Sequence, residues 1–119
     1  MARAKKTKIN GITFDSKTEA DYYLQLLARE QAGEIQNLTC QPEFSLYPKK
    51  KLRKRTIRPM KYTPDFSYYD GGQRHIVEVK GFARPEYMLR KKVFLHIYGD
   101  DLIFHEVKRK NKTFTDSIW

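Results

Sequence analysis

The sequence predicts a small α/β domain: a mixed sheet of about four strands around a central antiparallel hairpin, flanked by two helices. Three observations carry that prediction. A capped helical stretch lies near the N-terminus, an aromatic-rich hairpin surrounds Gly71-Gly72, and a second helical stretch starting at Pro85 leads into a β-rich segment. The 119 residues suffice for one modest core, so residues 1–119 read as one domain. With 39% hydrophobic and 13% aromatic residues, the chain has enough apolar area to fold despite 32% charge.

Residues 1–10, with Arg3, Lys5, Lys6 and Lys8, read as a basic flexible arm. Ser16 and Glu19 form an S-x-x-E capping box, followed at helical spacing by Ala20, Tyr23, Leu24, Leu27 and Ala28. Gly33 supplies a left-handed stop, so a helix is predicted over about 16–32. Over 41–47, Phe44 and Leu46 alternate with Ser45 and Tyr47 as in a half-buried strand, and Pro42 places its start at an edge or irregularity. Residues 49–58 read as a basic loop or flexible ribbon. Residues 60–70 and 74–80 then flank Gly71-Gly72, a β-hairpin signal. Pro85 at a first-turn position, then Leu89, Val93, Phe94, Ile97 and Tyr98, predict a helix whose apolar stripe lies opposite Arg90, Lys91 and Lys92. Gly99 ends it, residues 102–107 read as the last strand, and a basic tail finishes with Phe114, Ile118 and Trp119.

Composition excludes several classes. No apolar run approaches the ~18–20 residues that span a bilayer, so no membrane partnership is expected. The positive N-terminus has no apolar stretch behind it, so no secretory leader is expected. The single cysteine, Cys40, excludes an internal disulfide and a Cys-based zinc cluster, and fits a reducing cytoplasm. The 24 Lys and Arg exceed the 14 Asp and Glu by 10. Eight of those cations lie within residues 49–61, with no acid among them: Lys49, Lys50, Lys51, Arg53, Lys54, Arg55, Arg58 and Lys61. The rest of the chain is close to balanced. A local patch of this kind is the footprint of a polyanion-binding surface.

The hairpin places chemistry. If Gly71 and Gly72 are the two turn residues, Asp70 pairs with Gln73, and the same register sets Asp65 opposite Glu78. Opposed residues share a face with Cβ atoms ~4.5–5.5 Å apart. Lys80 points to that face as well, while Val77 and Val79 point away. Two opposed carboxylates repel, and a divalent cation between them reverses the sign. Hard oxygen donors at this spacing suit Mg²⁺, with positions left for water and a phosphate oxygen. Such an ion acidifies a bound water and stabilises transition-state charge, and Lys80 adds a compact positive charge.

Other candidates offer less. His75, His96 and His105 are scattered, with no zinc-site spacing. Asp100-Asp101 after Gly99 reads as turn chemistry. Tyr62, Phe66, Tyr68 and Tyr69 have the surface to stack on bases, but on a hairpin core packing accounts for them first. No Gly-rich phosphate loop or Ser/His/Asp or Cys/His arrangement is present.

Pro64-Asp65, followed by Glu78-Val79-Lys80 and Gly81, resembles the PD-(D/E)xK nuclease superfamily. The stretch Phe14-Asp15-Ser16-Lys17-Thr18-Glu19-Ala20-Asp21-Tyr22-Tyr23 is similar to that superfamily's first helix, which carries a glutamate ahead of the core. With Gly33-Glu34-Ile35 and Gln41-Pro42, the pattern over about residues 12–98 resembles small phage and prophage proteins grouped with Holliday-junction resolvases and bacteriophage endonuclease I. The resemblance implies a restriction-endonuclease-like core. It also implies a Mg²⁺-dependent DNA endonuclease, with Mn²⁺ able to substitute, working in phage DNA recombination or processing in the host cytoplasm. Asp65 and Glu78 would ligate the metal, the Val79 backbone carbonyl would be a further ligand, and Lys80 would be the catalytic lysine. Glu19 would approach from the first helix as a third acid, a role that competes with its place in the capping box. Phosphate contacts position a duplex without reading bases, so selectivity for branched DNA is expected over selectivity for a long sequence. Related enzymes nick two strands as symmetric dimers, and the apolar tail offers either part of a homodimer interface or a segment folded back on the sheet. The alternative is an inactive core, or a structural phage protein, that binds nucleic acid through the basic patch; intact Asp65, Glu78 and Lys80 argue against it.

Overall fold

The computed structural model describes residues 6–81 and 83–119. Part of the expected N-terminal arm is a hairpin. Thr7–Ile9 (β1) and Ile12–Phe14 (β2) pair antiparallel around Asn10 and Gly11, whose φ of 52° and 79° suit the tight turn. Ile9, Ile12 and Phe14 alternate along it and pack beside the first helix, which gives the hairpin its reason to form. The arm's residues 1–5 lie outside the described residues.

The first helix, α1 (Lys17–Gln31), has Ser16 as its N-cap, the hydroxyl accepting from the Glu19 backbone N–H at 3.1 Å. It ends as Gly33 predicts. At φ 79° the Gly33 N–H donates to the Glu30 carbonyl and the Glu34 N–H to the Arg29 carbonyl, a Schellman pair. The buried stripe is Ala20, Tyr23 and Leu26; Leu24, placed in the expected stripe, is 45% exposed.

The strand expected over 41–47 begins only at Phe44, and a strand that was not expected precedes it. Gln36–Cys40 (β3) lies in the main sheet, and Gln41, at φ 52°, turns the chain out of it. Phe44–Tyr47 (β4) then pairs with Met60–Tyr62 (β7) away from that sheet. Between them, the basic segment is a two-stranded ribbon of Lys50–Lys51 (β5) and Thr56–Ile57 (β6), closed by the Leu52 N–H on the Arg55 carbonyl at 2.8 Å. The hairpin turns at Gly71 and Gly72 as expected, both at positive φ, but its first arm is only Phe66–Asp70 (β8), against Gln73–Val79 (β9), because Thr63-Pro64-Asp65 separate it from β7.

The second helix, α2, spans Pro85–Tyr98, and a short 3-10 turn over Gly99–Asp101 leads into Leu102–Lys110 (β10). The stripe on α2 differs from expectation: Leu89 and Ile97 are 57% and 46% exposed, whereas Lys91 is buried among Tyr87 and Phe94. A lysine is tolerated there because Glu106 on β10 faces it at 2.9 Å. The tail is a further strand, Thr113–Ile118 (β11), folded back on β10, with the Trp119 N–H donating to the Phe104 carbonyl.

The main sheet thus has five strands in the order β11-β10-β9-β8-β3, mixed because β9 and β10 are parallel across the α2 crossover. Its inner order is helix, three strands, helix, strand. Alternation along β9 splits the core: Val77 and Val79 face α1, while Ile76 faces α2 with Phe94 and Phe104. Among the described residues no helix is long and apolar enough to cross a membrane.

Candidate active site

Register brings the acids together. The β8–β9 ladder pairs Asp70 with Gln73 and ends with Phe66 opposite Val77, so the expected Asp65–Glu78 pair falls one position beyond it, with Asp65 in the bend before β8. Asp65 is held at three points. Its N–H donates to the Val77 carbonyl (3.1 Å), its carbonyl accepts from the Gln41 N–H (2.8 Å), and its Oδ2 accepts from the Val79 N–H (2.7 Å). Pro64 before it is fully buried. The Asp65 and Glu78 carboxyls lie close enough that each acts on the other's ionisation.

Burial and then the neighbouring Glu78 charge push the Asp65 carboxyl well above the ordinary carboxylate range. Burial also raises Glu78, against hydrogen bonds from Asp65 and Tyr62. The Tyr62 hydroxyl donates to Glu78 Oε1 at 2.6 Å and fixes that oxygen. Lys80, two residues on, shares the Glu78 face, and its Nζ lies 4.4 Å from the centre of the Tyr87 ring.

Glu19 reaches the same neighbourhood from the first turn of α1. Its carboxyl is pushed up to about 7 by burial first, then by the charges of Asp65 and Asp15, with Lys80 opposing. Its backbone N–H donates to the Ser16 hydroxyl, while its carboxyl takes a backbone hydrogen bond at Asp15 and lies in the field of Asp65 and Lys80.

A cleft of about 360 Å³ opens on the α2 side, lined by Glu78, Lys80, Tyr62, Tyr87 and the cations Lys61, Arg84 and Arg90. A second, of about 380 Å³, opens on the α1 side between Ser16, Glu19 and Lys80, with Arg109 at its wall. Lys80 lines both. Lys49, Lys50, Lys51, Arg53, Lys54, Arg55 and Arg58 are exposed on or beside the β5–β6 ribbon, and Lys61 connects that ribbon to the cleft. Arg84, Arg90 and Tyr87 were missed by sequence reasoning. Each sits on the α2 face turned toward β9, a direction that only the crossover geometry sets.

One further expectation changes, and one holds. His75 and His105 are not scattered: they face each other across β9 and β10, with Nδ1 of His75 and Nε2 of His105 at 2.7 Å, and Asp116 Oδ2 at 2.8 Å from His105 Nδ1. Burial, then His105, lowers the His75 pKa. Tyr62, Phe66 and Tyr68 are buried, so they pack the core and offer no stacking surface.

Among the described residues no three His, Cys, Asp or Glu side chains form a cage for a metal ion. Mg²⁺ does not require one, since it is held through one or two carboxylates together with water and substrate phosphate. Asp65 and Glu78 supply hard oxygen donors close together, and the Glu78 charge that helps raise Asp65 is charge a cation would compensate. The donor set fits Mg²⁺.

Comparison with curated proteins and with solved structures gave no match. Residues 2–114 match the model of the family described as "Protein of unknown function (DUF1064)", nearly the whole chain, and the protein belongs to that family.

Proposed function

We propose that the protein is a Mg²⁺-dependent endodeoxyribonuclease, selective for branched DNA such as a Holliday junction, with Mn²⁺ able to replace Mg²⁺. The observation that carries this reading is the convergence of Asp65, in the bend just before β8, with Glu78 on β9 and with Lys80, whose charge acts on both acids.

Asp65, Glu78 and the Val79 carbonyl would hold the ion. When bound, Mg²⁺ supplies Lewis-acid stabilisation of phosphoryl charge and a more acidic water. The chain's own residues do the rest. Tyr62 fixes Glu78 Oε1, and the Val79 N–H fixes Asp65 Oδ2, so both carboxyls are aimed before substrate arrives. Lys80 presents its ammonium to the scissile phosphate as a point charge. Glu19 adds an acid from the opposite wall. The β5–β6 ribbon takes phosphates at a distance, which gives affinity without base readout. Cutting both strands of a junction symmetrically requires two copies, hence a homodimer on DNA, working in phage DNA processing in the host cytoplasm.

The test is purified protein with Mg²⁺ on a four-way junction, a flap, a linear duplex and a single strand. Cleavage of the junction ahead of the duplex, abolished by EDTA, is expected. Metal-independent binding with no cleavage of any substrate would overturn the enzyme reading.

A further inference from the structure

Beside the acids lies a second buried charge cluster to which the nuclease reading gives no role. On β10, Glu106 stands in parallel register next to Glu78 on β9. Its Oε2 takes the Lys91 ammonium at 2.9 Å and also accepts from the Tyr87 hydroxyl. Both partners of the ion pair are nearly sealed, with Lys91 and Glu106 side chains 6% and 11% exposed. Trp119 covers the Lys91 ammonium, which lies 3.9 Å from the ring centre. A buried pair of this kind gains little over apolar side chains of the same shape, because both charges must leave water. What it does here is hold one hydroxyl in one place.

That hydroxyl belongs to Tyr87, on the first turn of α2, and the face of the Tyr87 ring receives Lys80 Nζ at 4.4 Å. Lys80 has its main chain anchored, the N–H donating to the Val107 carbonyl at 2.8 Å, but its four-carbon stem rotates freely unless something holds the far end. An aromatic face does so without neutralising the charge, as a carboxylate would.

We propose that Tyr87 is a positioning residue: its ring holds the Lys80 ammonium beside Glu78, and the buried Lys91–Glu106 pair holds the ring. This inference rests on the nuclease reading for its consequence, but its geometry is measurable without any cleavage. In the full-length protein with EDTA, the Lys80 ε-methylene NMR signals, assigned by their loss in Lys80→Arg, should be displaced upfield by the ring. The displacement should persist in Tyr87→Phe, which keeps the face, and vanish in Tyr87→Leu. With Mg²⁺ and a cleavable DNA, Tyr87→Leu should lose about tenfold in kcat with KM nearly unchanged, while Tyr87→Phe stays within about threefold, the scale of a partly desolvated cation–π interaction. Lys80 signals at the position of exposed lysines in the folded wild type would overturn the inference, whether or not Tyr87→Leu folds. So would wild-type kcat in a folded Tyr87→Leu. Displaced signals in a wild type that cleaves nothing would instead overturn the nuclease reading, and the positioning role with it.

Discussion

Glu19→Gln separates a site residue from a helix cap by the sign of its effect on stability. The Glu19 carboxyl is raised from its usual 4.5 to about 7 in the fold, by burial and by Asp65 and Asp15. A carboxyl raised in this way favours the folded state fully below its unfolded pKa, and that contribution is lost as pH rises through about 7. At ~1.36 kcal/mol per pKa unit the shift amounts to ~3.4 kcal/mol. The side chain is only half-buried, so solvent screening reduces this to ~1–2 kcal/mol. Gln keeps the shape without the charge, and the Ser16 cap survives because the backbone N–H makes it. In urea titrations with EDTA, Glu19→Gln should therefore be more stable than wild type by ~1–2 kcal/mol at pH 8 and no more stable at pH 4.5. Turnover with Mg²⁺ should fall by orders of magnitude. Gln is an adequate capping-box residue, so a pure cap role predicts unchanged stability at both pH values and an active enzyme. That result would refute the reasoning and remove Glu19 from the site.

Asp65→Asn or Glu78→Gln should abolish cleavage while leaving DNA binding intact or tighter, since an acid that repels phosphates is gone; wild-type cleavage in either variant would remove these residues from the chemistry. Neutralising Lys49, Lys50, Lys51, Lys54 and Arg55 should flatten the salt dependence of binding, by ~0.9 in log–log slope for each duplex phosphate that is no longer neutralised. An unchanged slope would place the ribbon off the DNA. Adding Mg²⁺ at pH 8 should raise the Tm of the wild type and not that of Glu78→Gln, as binding to the folded state alone requires; equal shifts in both would locate the ion elsewhere.

The parts of this fold that were legible in the sequence are those settled by neighbours in the chain. Gly71 and Gly72 both adopt positive φ, which fixes a two-residue turn, and the turn alone carries the register out to Phe66 and Val77, one step short of Asp65 and Glu78. Pro85 and Gly99 bound α2 for equally local reasons. What was illegible depends on distant partners. Gln41, placed at the start of a predicted strand, instead turns the chain between β3 and β4 with a positive φ that no glycine announces, and its N–H is satisfied by Asp65, far along the chain. Lys91 reads as a solvated charge until Glu106 arrives from β10. β11 is almost wholly exposed, so its sequence carries no apolar alternation to detect. His75 and His105 meet only because α2 returns the chain parallel to β9, and that return sets their register.

The same distinction explains how the fold holds two acids that repel each other. The Asp65 main chain is bonded to Val77 and Gln41, and its carboxyl to the Val79 N–H, bonds that persist whatever the charge on Glu78. In a loose loop the repulsion would be relieved by rotating one carboxyl into water. Here rotation would forfeit the Val79 bond on one side and the Tyr62 bond on the other. The remaining relief is to take up a positive charge, and burial already favours the protonated form of both carboxyls. A divalent cation at the proposed site would compete with protons for the same oxygens, so its binding should strengthen as pH rises. The metal-dependent Tm shift lost in Glu78→Gln and the pH-dependent gain in Glu19→Gln are then two readings of one quantity, the negative charge that this backbone does not let the acids escape.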